Sequence, residues 1–235
     1  MSTQVSELPM GWIVRSNTWD RSIYDCVVVE NEYDLPDRFE GYDHILDVGC
    51  HVGAFSWACL ERGAGRVYAY EANPESLALA AHNVCTKYPG GFIPNVGVVW
   101  RSDGGGVQEL FYHRHPNPMN TGGGDVLHAE GDPVLAIHSF DGAVRRAANQ
   151  WKRVRLVKLD CEGSEFPILF TSSCLHMIDE IVGEYHLFDD LGDRFADLPP
   201  FTGQVLAEYL TDHGFTVSIA PCEADPILGR FRAVR

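Results

Sequence analysis

One stretch of this 235-residue chain, residues 44–63, constrains the fold more than any other part of the sequence. A short apolar run at 44–48 is followed by a turn with glycines at positions 49 and 53. Phe55 and Cys59, four positions apart, then indicate a helix that ends before Gly63. The stretch therefore predicts a strand, a tight turn and a helix, which is a unit of parallel sheets.

The same order recurs immediately downstream. Residues 66–70 form a second strand-like run, and residues 73–75 supply an N-cap asparagine, a first-turn proline and a first-turn acid for a second helix. Further strand-like runs lie at 92–99, 109–113, 155–160 and 179–185. Helical patterns occur at 141–150 and 204–213, and the chain closes with a predicted antiparallel pair at 215–220 and 228–234. We therefore expect an α/β fold with helices on both faces of a mostly parallel sheet.

The first 43 residues do not fit this alternation. Residues 12–15 and 23–30 look like two strands of a hairpin or small lid, joined by residues 16–18. We therefore divide the chain into an N-terminal β appendage, residues 1–43, and one α/β domain, residues 44–235. Within that domain, residues 113–125 are rich in Pro, Asn and Gly, and we expect a long irregular loop that is either functional or mobile.

Composition narrows the class of protein. Hydrophobic residues make up 45% of the chain and charged residues 22%, which is ordinary for a folded globular protein. Eighteen basic against 33 acidic residues give a formal net charge of −15, which argues against a nucleic-acid binder. No apolar run is long enough to span a bilayer, and residues 1–10 lack the order of a secretion signal, so we expect a cytoplasmic protein. The seven cysteines form no C-x-x-C pair and are expected to be reduced thiols.

The glycine turn after the first domain strand predicts a small-molecule site. Gly49 and Gly53 would let a ligand lie against backbone amides at the carboxyl edge of the sheet. A dinucleotide fingerprint would need glycines where His51 and Ala54 stand, and the P-loop pattern is absent from the sequence. The remaining common nucleoside ligand of this architecture is S-adenosylmethionine, which carries a positive ammonium and a positive sulfonium.

Acids beside the turn suit that ligand. Asp47 would face the cationic groups, and Glu71, at the end of the second strand, would accept hydrogen bonds from both ribose hydroxyls. The alternative is a purely structural turn, with Asn73 serving only as a helix cap. The residues assigned to cofactor binding are Asp47, Gly49, Cys50, His51, Gly53, Glu71, Ala72, Asn73, Asn95 and Val96.

A second acidic cluster follows a later strand. Residues 158–165, K-L-D-C-E-G-S-E, place three carboxylates within six residues, and the next candidate strand ends in Glu184-Tyr185-His186. If the two strands are neighbours, four side chains converge on one edge as candidate catalytic groups: Asp160, Glu162, Glu184 and His186. Clustered acids raise one another's pKa, and histidine titrates near neutrality, so either can act as a general base.

Other roles for this cluster stay open. Asp160, Glu184 and His186 could instead hold Mg²⁺ or Mn²⁺, which would activate a substrate hydroxyl. A structural interpretation gives the acids to a helix N-terminus and pairs Lys158 with Glu184. In the long loop, residues 113–115, His-Arg-His, are expected to be solvated rather than metal-binding.

Segments 47–56, 70–74, 139–141, 158–165 and 184–186 together resemble, in order and approximate spacing, the FkbM-type S-adenosylmethionine-dependent methyltransferases. The resemblance covers roughly residues 20 to 190, and K-x-D-x-E-G-x-E is its most specific part. It implies a class I methyltransferase, Rossmann-like fold of seven strands, with an antiparallel strand after Leu228. It also implies O-methylation of hydroxyls on natural products, sugars or glycoconjugates. Cys50-His51 stands where such proteins more often have Ala-Asn.

The expected activity is therefore S-adenosylmethionine-dependent O-methylation of a hydroxylated small molecule. Because the chain is strongly acidic, the acceptor should be neutral or cationic, and neither nucleic acid nor a membrane is an expected partner. A homodimer is one arrangement that the sequence allows. Two alternatives remain: a polyamine-synthase-like transferase of the same fold, and a noncatalytic cofactor-binding protein.

Overall fold

The structure is a computed structural model, and it describes residues 4–104, 110–128, 130–188, 191–223 and 225–235. In chain order, its strands are β1 (Val5–Leu8), β2 (Trp12–Arg15), β3 (His44–Val48), β4 (Arg66–Glu71), β5 (Phe92–Val96), β6 (Val98–Trp100), β7 (Phe111–Tyr112), β8 (Asp132–Pro133), β9 (Ile137–Ser139), β10 (Leu156–Leu159), β11 (Glu180–His186), β12 (Thr216–Pro221) and β13 (Leu228–Val234). Its α-helices are α1 (Asp20–Tyr24), α2 (Ala54–Glu61), α3 (Pro74–Cys85), α4 (Phe140–Ala147), α5 (Glu165–Phe170) and α6 (Gly203–Asp212).

A seven-stranded sheet forms the centre of the molecule, in the order β12-β13-β11-β10-β3-β4-β5. All its strands run parallel except β13, which is antiparallel to both of its neighbours. The predicted α/β fold with an antiparallel strand near the end of the chain is therefore confirmed. Because β10 lies between β3 and β11, the carboxyl ends of these three strands meet at one edge of the sheet.

Two buried hydrophobic clusters cover the two faces of this sheet. One cluster contains apolar residues of α4, α5 and α6, and the other contains those of α2 and α3. All four residues of β10 are buried, as expected for a central parallel strand covered by helices on both sides. This burial explains why the central strands appear in the sequence as nearly continuous apolar runs.

The prediction that residues 23–30 form a strand is wrong. The N-terminal hairpin pairs β1 with β2, whereas residues 20–24 form α1 and residues 25–29 continue it as a π-helical turn. Ile23 and Val27 are four positions apart, and both line the cavity described below. The helical spacing of these buried contacts outweighs the strand preference of the valine run at 27–29.

The N-terminal residues pack into the hydrophobic cluster that contains α2 and α3. Trp12 is fully buried, and its ring meets Trp57 of α2 edge to face, with ring centroids 5.7 Å apart. Val14, Leu35 and Phe39 belong to the same cluster as α2 and α3. The domain boundary between residues 43 and 44 stays a prediction. None of the helices in the described part of the chain is both long and apolar enough to cross a membrane.

The run at 92–99 is interrupted, whereas the sequence predicted one continuous strand. Gly97 has φ +124°, and a Cβ atom there would lie 2.4 Å from the backbone oxygen of Ala136. The chain therefore leaves the central sheet after β5, and β6 pairs with β9 in a separate parallel pair. The predicted run at 109–113 is β7 at residues 111–112, and Glu109 lies outside the described residues.

Candidate active site

A cavity of about 320 Å³ opens at the carboxyl edge of β3, β4, β10 and β11. The sheet edge contributes one wall, which includes Gly49, Glu71 and Asp160. Two further walls come from segments that the sequence did not connect with the site. The N-terminal segment supplies Trp19, Ser22, Ile23, Cys26, Val27, Glu32 and Tyr33, and the loop after β7 supplies Asn120, Gly122, Gly124 and Val126.

The glycine turn allows β3 and β10 to approach each other closely. Gly49 has φ +78°, and a Cβ atom there would lie 1.9 Å from the backbone oxygen of Asp160. The amides of Gly49 and Cys50 both donate to the Tyr70 oxygen, each at 3.0 Å. These two amides are therefore used inside the protein and are not the free donors to a ligand that the sequence predicted, and Gly49 serves the contact between β3 and β10.

Glu71 is held from two sides at the cavity wall. Its carboxylate accepts hydrogen bonds from the backbone amides of His51 and Asn73, both at 2.8 Å. Each carboxylate oxygen has a second lone pair that can accept a ligand hydroxyl. Asn73 itself caps α3 by accepting from the Glu75 amide at 3.0 Å, so the helix-cap interpretation describes what it does here.

Asp47 lies beneath the turn and not at the cavity surface, so the predicted direct contact with cofactor cations is not supported. Its side chain is fully buried and accepts a hydrogen bond from the Ser56 hydroxyl at 2.6 Å. Lys158 Nζ lies 3.6 Å from Asp47 and donates to the Gly49 oxygen at 2.6 Å. Burial alone would lower the pKa of Lys158, but the neighbouring carboxylates raise it above its usual value, so it is an ammonium ion.

The predicted cofactor residues fall into two groups. Those that line the cavity are Gly49, Cys50, His51, Glu71 and Ala72. Those that do not line it are Asp47, Gly53, Asn73, Asn95 and Val96. Gly53 starts α2 with φ +91°, and the Asn95 amide donates to the backbone oxygens of Ala69 and Ile93.

Three of the four predicted catalytic side chains, Asp160, Glu162 and Glu184, line the same cavity. Asp160 accepts from the Tyr33 hydroxyl at 3.2 Å and lies 3.3 Å from Lys158 Nζ. Burial opposes its ionisation, but the positive charges of Lys158 and His186 lower the pKa of Asp160 below its usual value. Asp160 is therefore a fixed anion at neutral pH.

Glu184 has a different partner from the one considered in the sequence. Its carboxylate accepts from Arg230 at 3.1 Å, and Lys158 is engaged with Asp47 and Asp160 instead. Burial and the nearby Asp160 charge raise the pKa of Glu184.

His186 lies behind Glu162 and outside the cavity lining. Its Nε2 is 3.4 Å from a Glu162 oxygen, and its Nδ1 is 3.4 Å from a Glu165 oxygen. Burial would lower its pKa, but the Glu165 and Glu162 carboxylates outweigh that effect and raise it to about 10. At neutral pH His186 is thus an imidazolium ion. Burial, reinforced by neighbouring acids, raises the pKa of Glu162 to about 8.

The turn that presents Glu162 is built around the last acid of the 158–165 motif. Glu165 is fully buried and accepts from the backbone amides of Cys161 and Gly163, both at 2.8 Å. Glu162 and Gly163 both have positive φ, +54° and +93°. Glu165 therefore holds a tight turn whose tip carries Glu162 into the cavity.

Among the described residues, the predicted metal ligands Asp160, Glu184 and His186 do not form a group of close ligand atoms. The group whose ligand atoms lie within 4.8 Å of one another is Asp160, Glu162 and His186. Because a metal ion binds a neutral imidazole and not an imidazolium ion, an ion at this place would have to displace one proton from His186.

The N-terminal segment and the loop after β7 meet over the turn through one buried acid. Asp20 accepts from Arg15 Nε at 2.8 Å and from the Thr121 hydroxyl at 2.6 Å. Arg15 Nη2 in turn lies 2.8 Å from His51 Nε2. We name these four residues, Arg15, Asp20, His51 and Thr121, the clasp. No sequence signal indicated it, because its members come from three distant segments.

A Rossmann-like sheet in this strand order, with an acid-lined cavity at its carboxyl edge, defines a class I methyltransferase. Residues 47–217 match the sequence model of the methyltransferase FkbM domain. The match covers more than half of the chain, so the protein belongs to the FkbM methyltransferase family. No curated protein matches the sequence significantly.

Solved structures with a similar fold have low sequence identity. A methyltransferase FkbM from Methylobacillus flagellatus KT is 13% identical, with a TM-score of 0.50, and the match covers 89% of this chain and 47% of that one. A precorrin-6y C5,15-methyltransferase from Geobacter metallireducens GS-15 is 14% identical, with a TM-score of 0.44 and coverage of 98% and 95%. A magnesium protoporphyrin IX methyltransferase from Synechocystis PCC 6803, solved with bound S-adenosylmethionine, is 13% identical, with a TM-score of 0.41 and coverage of 92% and 79%.

Proposed function

We propose that the protein transfers the methyl group of S-adenosylmethionine to a hydroxyl oxygen of a small molecule. The observation that carries this proposal is the composition of one cavity, lined both by Glu71 and by the carboxylates of Asp160, Glu162 and Glu184. Glu71 suits the ribose of a nucleoside, and the three carboxylates suit a sulfonium and a hydroxyl that must lose its proton.

The cofactor end of the cavity combines hydrogen bonding with close approach. Glu71 keeps free lone pairs for the two ribose hydroxyls, since its amide partners use one on each oxygen. Val98 and Val99, beyond the break at Gly97, offer apolar surface for the adenine ring. Gly49 and Ala72 line the cavity beside Glu71, where the nucleoside would lie.

At the other end, the chain's residues align the acceptor and receive its proton. Methyl transfer forms the O–C bond as the C–S bond breaks, so S-adenosylhomocysteine leaves and the hydroxyl proton must go to a base. Glu162 suits this role, because it lines the cavity and its pKa is raised to about 8. His186 is the positioning residue for Glu162, and Asp160, fixed by Tyr33 and Lys158, orients the acceptor or faces the sulfonium.

The acceptor class follows from charge and shape. The fixed anion Asp160, with Glu32 and Glu184 in the same lining, disfavours an anionic acceptor. Trp19 and Phe55 offer apolar surface. We therefore propose a neutral or cationic hydroxylated molecule, such as a sugar or natural product, and neither nucleic acid nor a membrane.

The test combines binding with a labelled-methyl transfer screen over hydroxylated compounds. We expect calorimetry to show binding of S-adenosylhomocysteine to the wild type. Glu162→Gln should lower turnover by about 10²-fold or more with cofactor affinity unchanged, because a positioned base is lost. Glu208→Gln, an exposed acid on α6, is the control and should retain full turnover. Absence of cofactor binding, or full turnover in Glu162→Gln, contradicts the proposal.

Two rival mechanisms are separated in the same screen. Asp160, Glu162 and His186 could hold Mg²⁺ or Mn²⁺, which would activate the hydroxyl as a Lewis acid. In that case a chelator abolishes turnover and added Mg²⁺ restores it. The acidic cavity also suits a polycationic acceptor, so putrescine with decarboxylated S-adenosylmethionine is included as the assay for a polyamine synthase.

A further inference from the structure

Three potential metal ligands lie together in the loop after β7, away from the acidic edge. The ligand atoms of His113, Asp125 and His128 all lie within 4.8 Å of one another. His113 Nδ1 is 3.5 Å from one Asp125 oxygen, and His128 Nδ1 is 2.8 Å from the other. The two imidazole rings are 4.7 Å apart between centroids.

Backbone hydrogen bonds bring these side chains together. The His113 amide donates to the backbone oxygen of Asp125 at 2.8 Å, and the Asp125 amide donates to the backbone oxygen of His113 at 3.0 Å. A pair that exchanges both bonds places its side chains on the same face of an antiparallel ribbon. One oxygen of the Asp125 side chain also accepts from the backbone amides of Leu127 and His128, at 2.9 Å and 3.3 Å. These bonds hold residues 125–128 in a tight turn that places the His128 ring beside the Asp125 carboxylate. The cluster is therefore a property of the local fold.

We propose that His113, Asp125 and His128 bind one divalent transition-metal ion, with Zn²⁺ as the best fit. Zinc bonds of about 2.0–2.1 Å in a tetrahedron place ligand atoms about 3.3 Å apart. Each imidazole already lies near that spacing from one of the two carboxylate oxygens, at 3.5 Å for His113 and 2.8 Å for His128. Two imidazoles with one carboxylate suit zinc better than Mg²⁺ or Ca²⁺, which prefer oxygen ligands alone. Water would complete the coordination.

The surroundings allow an ion to enter and to be held. The side chains of His113 and His128 are 40% and 51% exposed, while that of Asp125 is only 8% exposed. Arg194 donates hydrogen bonds to the backbone oxygens of Val126 and Leu127. These two oxygens are therefore occupied, and the metal ligands come from the three side chains. An ion from solvent can thus reach a carboxylate that is already anchored.

The bound ion would join the two ends of the loop that forms one cavity wall. Asn120, Gly122 and Gly124 line the cavity and lie between His113 and Asp125 in sequence. A metal cross-link restrains the chain between its ligands and stabilises the folded state that holds it. The site would therefore fix the shape of the acceptor pocket without taking part in methyl transfer.

The test titrates metal-free protein with ZnCl₂ by calorimetry and with CoCl₂ by visible absorption. We expect one ion per chain, and at least about tenfold weaker binding in His113→Asn and in His128→Asn. His115→Asn is the matched control, because His115 lies in the same loop but its Nδ1 accepts from the Asn117 amide at 3.1 Å. Zinc should raise the thermal unfolding midpoint of wild type and His115→Asn, but not of the doubly substituted His113→Asn/His128→Asn protein.

Other results would contradict the proposed zinc site. Absence of saturable zinc binding by the wild type would do so, as would unchanged affinity in the double variant. Binding that is lost in His186→Gln and kept in His113→Asn would assign the ion to the acidic edge instead. The unfolding midpoints of the metal-free variants, compared with the metal-free wild type, show that a loss of binding is not a loss of folding.

Discussion

Glu162 and His186 show how neighbours decide which residue can accept a proton. The sequence left the base open between His186, whose free imidazole titrates near neutrality, and the clustered carboxylates. In the structure it is enclosed by the Glu162 and Glu165 carboxylates, and its pKa rises to about 10. Burial raises the pKa of Glu162 to about 8, close to the range that suits a base. Sequence spacing predicted that these groups would converge, but the pKa order depends on packing.

The pH dependence of catalysis follows from this order. Glu162 accepts a proton only when ionised, so kcat/KM should rise with pH and level off above about 8. The measurement is a pH–rate profile of the wild type with the acceptor found in the screen. In Glu162→Gln the residual rate should lose this dependence. A wild-type profile that is flat through the region around pH 8 would be inconsistent with Glu162 as the base.

Glu71→Ala should weaken cofactor binding by about 1–3 kcal/mol, because a charge-assisted hydrogen-bonding group is lost. Calorimetry with S-adenosylhomocysteine measures the effect. Glu75→Ala, an exposed acid two residues into α3, should bind as tightly as the wild type. Glu71 also accepts from two backbone amides, so the unfolding midpoint of the Glu71→Ala protein is measured to separate a loss of binding from a loss of folding. Equal cofactor affinity in the two variants would show that Glu71 does not contribute to cofactor binding.

Among the elements, those with strong apolar runs were predicted to within one residue at either end. β3 and β13 match their predicted bounds, and β4, β10, β11 and β12 differ by one residue at one or both ends. These strands carry either a nearly continuous apolar run or, as in the edge strand β12, which has no buried residue, an alternating pattern. Both patterns indicate strands in a sequence. The helix predicted at 141–150 ends earlier, at Ala147. The larger failures lie at 23–30 and at Gly97. There the conformation is set by a helix that packs on the cavity and by one glycine that redirects the chain.

Gly49→Ala tests the close approach of β3 and β10. The new Cβ atom would meet the Asp160 oxygen at 1.9 Å, so we expect a loss of more than about 3 kcal/mol of unfolding free energy, or failure to fold. Gly90→Ala is the matched control, because its φ of +83° is similar and no atom lies within 4 Å of the added Cβ. It should cost only about 1–2 kcal/mol, the conformational penalty alone. Similar losses in both variants, measured by denaturant unfolding, would show that the contact is unimportant.

At the scale of the whole molecule, the site is assembled from segments far apart in the sequence. Tyr33 contacts Asp160 across 127 positions, and Thr121 contacts Asp20 across 101. Such contacts leave no periodic pattern in a single sequence, because each involves one residue on each side. The sheet edge and its acids were therefore predictable, whereas the walls contributed by the N-terminal segment and by the loop were not.

The clasp should contribute strongly to global stability. Asp20→Ala leaves Arg15 buried without its carboxylate, so we expect a loss of about 3–5 kcal/mol in the free energy of unfolding. Asp25→Ala is the control, since its ion pair with Arg21 is exposed and worth about 0.5 kcal/mol or less. Urea unfolding measures both variants. A small effect of Asp20→Ala would mean that the clasp does not hold the segments together.

The three-walled cavity also bears on how acceptor choice can diverge within the family. The sheet edge, with Glu71 and the turn at 158–165, holds the residues we assign to chemistry. Residues 19–33 and 120–126 supply most of the remaining wall, including the Glu32 carboxylate and the Tyr33 contact to Asp160. A change in those two segments alters what fits beside the reacting groups and leaves the strands that carry them intact. Grafting them from one FkbM protein onto another is therefore a direct route to exchanging acceptor preference while conserving the reaction.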